Sequence, residues 1–240
     1  VAYLTTGYPD KNFTSDLISE LAPHVDILEL GVPFSDPVAD GEIIEKANFL
    51  ALQNGIKFKD VLEIAGKSQI DTFLMGYFNS FYNRGIEKLL GEMSENRIKG
   101  LIIPDLPFEE TKLYLPNFQK FNKELIPFVA PTDNRERIEK ILKGNLSTFI
   151  YLVAYAGITG SGKSENLDEV ISNIREVSNQ DLFIGFGVNE ESAKEKARNV
   201  DGVIVGSAFV KILLDNSISP SGKIVKIRES AKVIKERINS

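Results

Sequence analysis

Short apolar runs alternate with amphipathic stretches along the whole chain. Eight of the apolar runs read as strands: residues 1–6, 25–30, 72–76, 100–103, 125–130, 148–153, 182–185 and 202–205. Most are continuous and rich in Ile, Val, Leu and Phe. That is how strands covered on both faces of a parallel sheet read. Helical periodicity fills the gaps, at 13–21, 43–54, 59–67, 86–96, 109–121, 135–142, 167–177 and 190–199, with two more helices after the last strand. An unbroken β-α alternation with eight strands predicts an α/β fold, a (β/α)8 TIM barrel. A doubly wound open sheet is the alternative, and the tally of strands favours the barrel. No low-complexity segment or linker divides the chain, so residues 1–240 are expected to form a single catalytic domain.

Composition narrows the partners. The chain has 240 residues, 42% hydrophobic and 26% charged, which suits one α/β domain with a sizeable core. A net charge of -6 gives no basis for binding nucleic acid or an anionic membrane surface. Cysteine is absent, which removes disulfide and thiolate chemistry and is compatible with a reducing, cytoplasmic setting. No apolar run is long enough to span a bilayer, and no signal-peptide pattern stands at the start.

The chemistry concentrates where strands end. Residues 25–31 form a strand-like run that breaks into Val32-Pro33-Phe34-Ser35-Asp36-Pro37-Val38-Ala39-Asp40-Gly41. Glu29 sits near the end of an otherwise apolar strand, and Asp40 closes the loop. A carboxylate inside a core is paired, exposed at the strand end, or protonated near neutral pH. The last state suits a general acid/base. Taken alone, one Glu in a strand is more often an ion-pair partner. Two further turns, Gly185-Phe186-Gly187 and Gly206-Ser207, follow the seventh and eighth strands. Glycines and helix N-terminal amides there make an anion site, and barrels often bind phosphate at that point.

The order of residue types from Leu28 to Gly41 resembles the signature of the tryptophan synthase alpha chain family, and the likeness runs from Val1 to about Val210. Members usually carry a short helical segment ahead of the strand that begins this chain. The resemblance implies a lyase of tryptophan biosynthesis that splits indole-3-glycerol phosphate into indole and glyceraldehyde 3-phosphate by retro-aldol chemistry. It maps the catalytic pair onto Glu29 and Asp40. For substrate binding it places Ile44, Met75, Ile102, Val153 and Ile204 around the indole ring, Tyr3 at the site mouth, Tyr77 in the loop after the third strand, Tyr151 next to the catalytic Glu and Thr159 on the loop after the sixth strand. On the phosphate it places Gly160, Gly185, Phe186, Gly187, Gly206 and Ser207. Asp105 is expected to touch the mobile loop after the sixth strand. No metal or organic cofactor is implied. The implied partner is a pyridoxal-phosphate-dependent beta chain in an alpha2-beta2 complex. Departures occur at Glu42, Glu45, Leu50 and Ser80, where the family favours other residues, and these bear on loop closure and the partner interface.

Two other functions compete. Gly157-Ile158-Thr159-Gly160-Ser161-Gly162-Lys163-Ser164 fits the P-loop pattern of nucleotide-binding proteins, between a strand and a helix. Against it, the same stretch resembles the family's sixth strand and loop. The nearest Walker B candidate, Leu101-Ile102-Ile103-Pro104-Asp105, has Pro before its Asp. The second is a barrel of low activity that only activates a partner, and the presence of both carboxylates argues against it.

Overall fold

The computed structural model describes residues 1–145, 147–154 and 167–240. Its strands are all parallel: β1 (Ala2–Thr5), β2 (Ile27–Gly31), β3 (Asp71–Met75), β4 (Gly100–Ile102), β5 (Glu124–Leu125), β6 (Phe128–Val129), β7 (Phe149–Val153), β8 (Asp181–Gly185) and β9 (Gly202–Val203). Each pairs with the next in chain order except at β5–β6, which are two halves of one rung. There the Ile126 amide still donates to Leu101 O at 3.0 Å, and Pro127 O accepts from the Tyr151 amide at 2.9 Å. Pro127 has no N–H to donate, so the ladder passes from β4 to β7 across this residue with a break. The ends meet through an Ala2–Val205 bridge, with Tyr3 N–H donating to Val205 O at 2.9 Å. Eight rungs therefore close into the expected (β/α)8 barrel.

Side-chain parity explains why the strands read as continuous apolar runs. One set of alternate residues, including Ile27, Phe73, Ile102, Ile126, Phe149, Tyr151 and Ile204, fills the barrel interior. The other, including Leu28, Leu30, Leu74, Leu101, Ile150, Leu152, Leu182 and Ile184, packs under the helices. Both faces are buried, so no alternation of polar and apolar residues survives. Among the described residues no helix is long and apolar enough to cross a membrane.

Helix boundaries depart from the sequence pattern in three places. The 109–121 stretch is split into Phe108–Thr111 and Leu115–Lys120. Pro116 cannot continue a helix but suits its first turn, and it stands there in the second piece. The 190–199 stretch shrinks to Ala193–Lys196, because the Asn189 side chain takes the amides of Glu191 and Ser192. After β3 an additional helix, Phe78–Arg84, stands where the sequence pattern predicts none. Its first amide donates to Asp105 Oδ1 at 2.8 Å, a cap supplied from after β4.

Phe149 anchors the floor of the interior. It is fully buried, edge-on to Phe73 at 5.6 Å and stacked on Phe183 at 4.8 Å. Truncating such a ring removes burial and leaves a cavity. Phe149→Ala should therefore cost about 3–5 kcal/mol in a urea unfolding titration, against a much smaller loss for Phe149→Leu.

Candidate active site

The parallel register sets Tyr3, Glu29 and Phe73 side by side on β1, β2 and β3. Glu29 shares its parity with Ile27, so its carboxyl enters the barrel interior. It is 1% exposed, and among the described residues neither carboxyl oxygen has a hydrogen-bond partner. Burial pushes its pKa up to about 8, the nearby Asp40 adds to the rise, and the first residue's amino group opposes it. At neutral pH the group is a neutral acid, the state in which an unpartnered carboxyl is least costly inside a protein.

Two glycines make room around it. A Cβ on Gly31 would lie 2.5 Å from the Tyr3 hydroxyl, and one on Gly185 would lie 2.5 Å from the Tyr151 hydroxyl. Both rings therefore lean over the end of a neighbouring strand. Tyr3 and Tyr151 are buried, and their ionisation is pushed well up, first by burial and then by the nearby carboxylates. They serve as neutral walls.

Asp40 is held differently. It is half-buried, and its carboxylate accepts from Asn48 Nδ2 at 3.2 Å and from the Tyr77 hydroxyl. Burial pushes its pKa up to about 6, these two donors pull against the rise, and Glu45 adds to it. The Tyr77 hydroxyl also accepts from the Ala39 amide at 2.9 Å, while its ring stacks on Phe34 at 5.3 Å. Tyr77 thus grips both ends of the loop that carries Asp40.

Among the remaining expected positions, Ile102, Val153 and Ile204 belong to the interior cluster, and Met75 packs against it. Ile44 and Met75 also pack against the smaller group of Tyr3, Ala47 and Val210 at the adjoining wall. Gly185, Phe186 and Gly187 follow β8. Phe186 is left-handed, with φ 74°, and Gly187 has φ 69°. The Gly187 carbonyl accepts from Ser192 Oγ at 2.9 Å, which pins this turn. Gly206 precedes the helix Ser207–Leu214, whose first amides lie ahead of the intrahelical ladder. Asp105 lies at the same end of the barrel, but one of its oxygens is taken as the cap on Phe78. Thr159, Gly160 and the whole P-loop-like stretch 157–164 lie outside the described residues. Asn79, in the turn after β3, is exposed within its helix and bonds Asn83. Sequence reasoning missed Asn48. Its signal was a polar residue between Ala47 and Ala51 on the buried face of an amphipathic helix.

Raised carboxyl values have a consequence for stability. A folded-state pKa above the ordinary value of 4.5 means that the folded chain holds the Glu29 proton longer than the unfolded one. The folded form is then favoured fully below the ordinary value and loses stability as pH rises towards 8. Asp40 acts in the same sense over a narrower window. Glu29→Gln should match the parent near pH 4 and exceed its stability by a few kcal/mol above pH 8. Thermal melts of both proteins across that range would check this.

A family described as Tryptophan synthase alpha chain matches residues 1–239. A curated tryptophan synthase alpha chain from Wolinella succinogenes is 52% identical, covering 100% of this chain and 95% of that protein. The solved tryptophan synthase subunit alpha from Campylobacter jejuni is 34% identical with a TM-score of 0.86, covering 95% of this chain and 94% of that one. A structure bearing on mutual activation of the tryptophan synthase a2b2 complex from Pyrococcus furiosus matches at 28% identity and TM-score 0.86, over 97% and 96% of the two chains.

Proposed function

The chain belongs to the tryptophan synthase alpha chain family, and from that premise we propose that Glu29 and Asp40 divide its acid–base work between them. The enzyme is a lyase that cleaves indole-3-glycerol phosphate to indole and glyceraldehyde 3-phosphate in tryptophan biosynthesis, and it works within an alpha2-beta2 complex with the beta chain. The observation that carries the division of labour is the contrast in partners. Among the described residues Glu29 has none and keeps its proton, whereas Asp40 has two donors and gives its proton up.

The chemistry follows from that contrast. Protonated Glu29 delivers its proton to C3 of the indole ring, which turns the ring into an electron-poor tautomer. Asp40 accepts a hydrogen bond from the ring N–H and stabilises the positive charge that develops there. Glu29, now a carboxylate in an apolar interior, takes the proton of the glycerol hydroxyl. The C–C bond to C3 breaks, its electron pair returns to the ring, and the aldehyde leaves. One group serves as acid and then as base, as its raised pKa suits. Tyr3, Ile44, Met75, Ile102, Tyr151, Val153 and Ile204 supply a flat apolar enclosure for the indole. Tyr77 is better read as a holder of the Asp40 loop than as a ring contact.

The phosphate is assigned to the turns at 185–187 and 206–207. A left-handed Phe186 and open amides at the start of Ser207–Leu214 support the reading, since such amides favour anions. Remote binding there fixes the reacting end. The chain is read as one catalytic domain working in the cytoplasm. Inorganic phosphate should compete, raising KM for substrate and leaving kcat unchanged.

Two pKa values of opposite duty predict a bell. Activity needs Asp40 ionised and Glu29 protonated. The kcat/KM profile should therefore rise through about pH 6 and fall through about pH 8. Glu29→Gln should lower kcat by at least about a hundredfold while substrate still binds. Indole release measured across pH for both proteins is the test, and a Gln variant that turns over normally would refute the role.

A further inference from the structure

Asn48 is 2% exposed, on the helix Glu42–Gln53, between Ala47 and Ala51 on the buried face. Among the described residues its one hydrogen bond is Nδ2 to Asp40 Oδ2, at 3.2 Å. Its other amide atom, Oδ1, is buried with no partner. As a packing residue this is a poor choice. Asn is a weaker helix former than Leu or Ala, and a buried unpaired carbonyl is a standing cost. Leu would fill a similar space without either penalty. The position makes sense if the N–H end is what the site needs.

The surroundings of Asp40 say why. Glu45 on the helix Glu42–Gln53, Glu29 on β2, Tyr3 and Tyr151 on β1 and β7, and Tyr77 after β3 are the titratable groups among the described residues coupled to it. None of them is a cation. Burial and Glu45 both favour the protonated form. The groups that favour the anion are two neutral donors, the Tyr77 hydroxyl and the Asn48 amide. A neutral donor can hold an anion in a half-buried mouth without adding a charge that would also draw the proton off Glu29. We propose that Asn48 is a positioning residue for this reaction: its amide, together with the Tyr77 hydroxyl, holds the Asp40 carboxylate ionised and oriented as an acceptor for the ring N–H. This rests on the role given to Asp40 above.

The test is Asn48→Leu, read in three ways: the pH profile of indole release, the split between kcat and KM, and the titration of the Asp40 carboxyl by carbon NMR. Loss of one hydrogen bond to a charged group should move the rising limb up by about one pH unit. The Asp40 titration should move with it, and the falling limb should stay in place. The kcat at pH 5, on the rising limb, should fall about tenfold, with KM changed less than about threefold. A folded Leu variant with the rising limb, the Asp40 titration and kcat all unmoved overturns the proposal. So does one that loses only thermal stability, the mark of a packing role. If the Leu variant does not fold, Asn48→Asp keeps the shape and replaces the donor with an acceptor. It should move the limb further in the same direction, and an unmoved limb there is equally fatal. The reading of Asp40 itself fails separately, if Asp40→Asn retains full turnover, because the NMR titration reports the Asn48–Asp40 contact whether or not Asp40 is catalytic.

Discussion

A carboxyl group with no hydrogen-bond partner among the described residues, enclosed by a closed parallel barrel, is the constraint around which this structure is arranged. Both Glu29 oxygens are buried and unpaired, in a core whose adjacent layers are Ile, Phe, Tyr and Val. In water the group would ionise readily. Inside, ionisation must do without solvent and without a fixed donor, so the proton stays. An isolated strand could not impose this. Eight rungs, hydrogen-bonded from β1 round to Val205, are needed to deny water to the group from every side. The stability of the shell of Leu and Ile under the helices is what makes the costly interior tolerable.

The second carboxyl shows how the same barrel end produces the opposite state. Asp40 stands only about eleven residues further on, yet it comes from a loop and not from a strand. A loop can be gripped by neighbours. Tyr77 takes the Ala39 amide and the Asp40 carboxylate together, and Asn48 supplies another donor. Donors favour the anion, and their absence favours the acid. Burial raises both groups, and the separation between about 6 and about 8 reflects the neutral donors that pull Asp40 back down, since the one cation acting on Glu29, the amino group of the first residue, lowers its value and narrows the gap. Paired titratable groups whose surroundings push them apart are the physical form that acid–base assignments take.

The fold was legible because its determinants are repeated and local. Apolar runs at regular spacing, each followed by a helical period, leave few architectures open, and a strand buried on both faces has a composition of its own. Glu29 was visible as a charge in such a run. What escaped was non-local. The helix Phe78–Arg84 has no local cap, since its capping carboxylate comes from Asp105, more than twenty residues away. The hold of Tyr77 on the Asp40 loop was hidden for the same reason: nothing local to a tyrosine after a strand shows that its hydroxyl reaches another loop. Asn48 was passed over because a polar residue on the buried face of an amphipathic helix signals a buried role without saying which group it faces. The break at β5–β6 follows from Pro127, which was in plain view but counted only as part of a run.

One helix joins these threads. Glu42–Gln53 begins at the residue after the Asp40 loop, and it carries both Glu45, which favours the protonated form of Asp40, and Asn48, which favours the ionised one. They stand three residues apart, on the same side of the helix by its 3.6-residue period. Neither needs to move far to change the balance, because a hydrogen bond decays over tenths of an ångström while a charge effect decays over several. A small shift of this helix relative to the loop would weaken the Asn48 contact before it relieved Glu45, and Asp40 would take up its proton. Ala47 and Ala51 let Glu42–Gln53 pack closely on the barrel wall. That close seating is what brings the Asn48 amide within reach of Asp40, so one helix supplies both the packing of the wall and a donor that favours the anion.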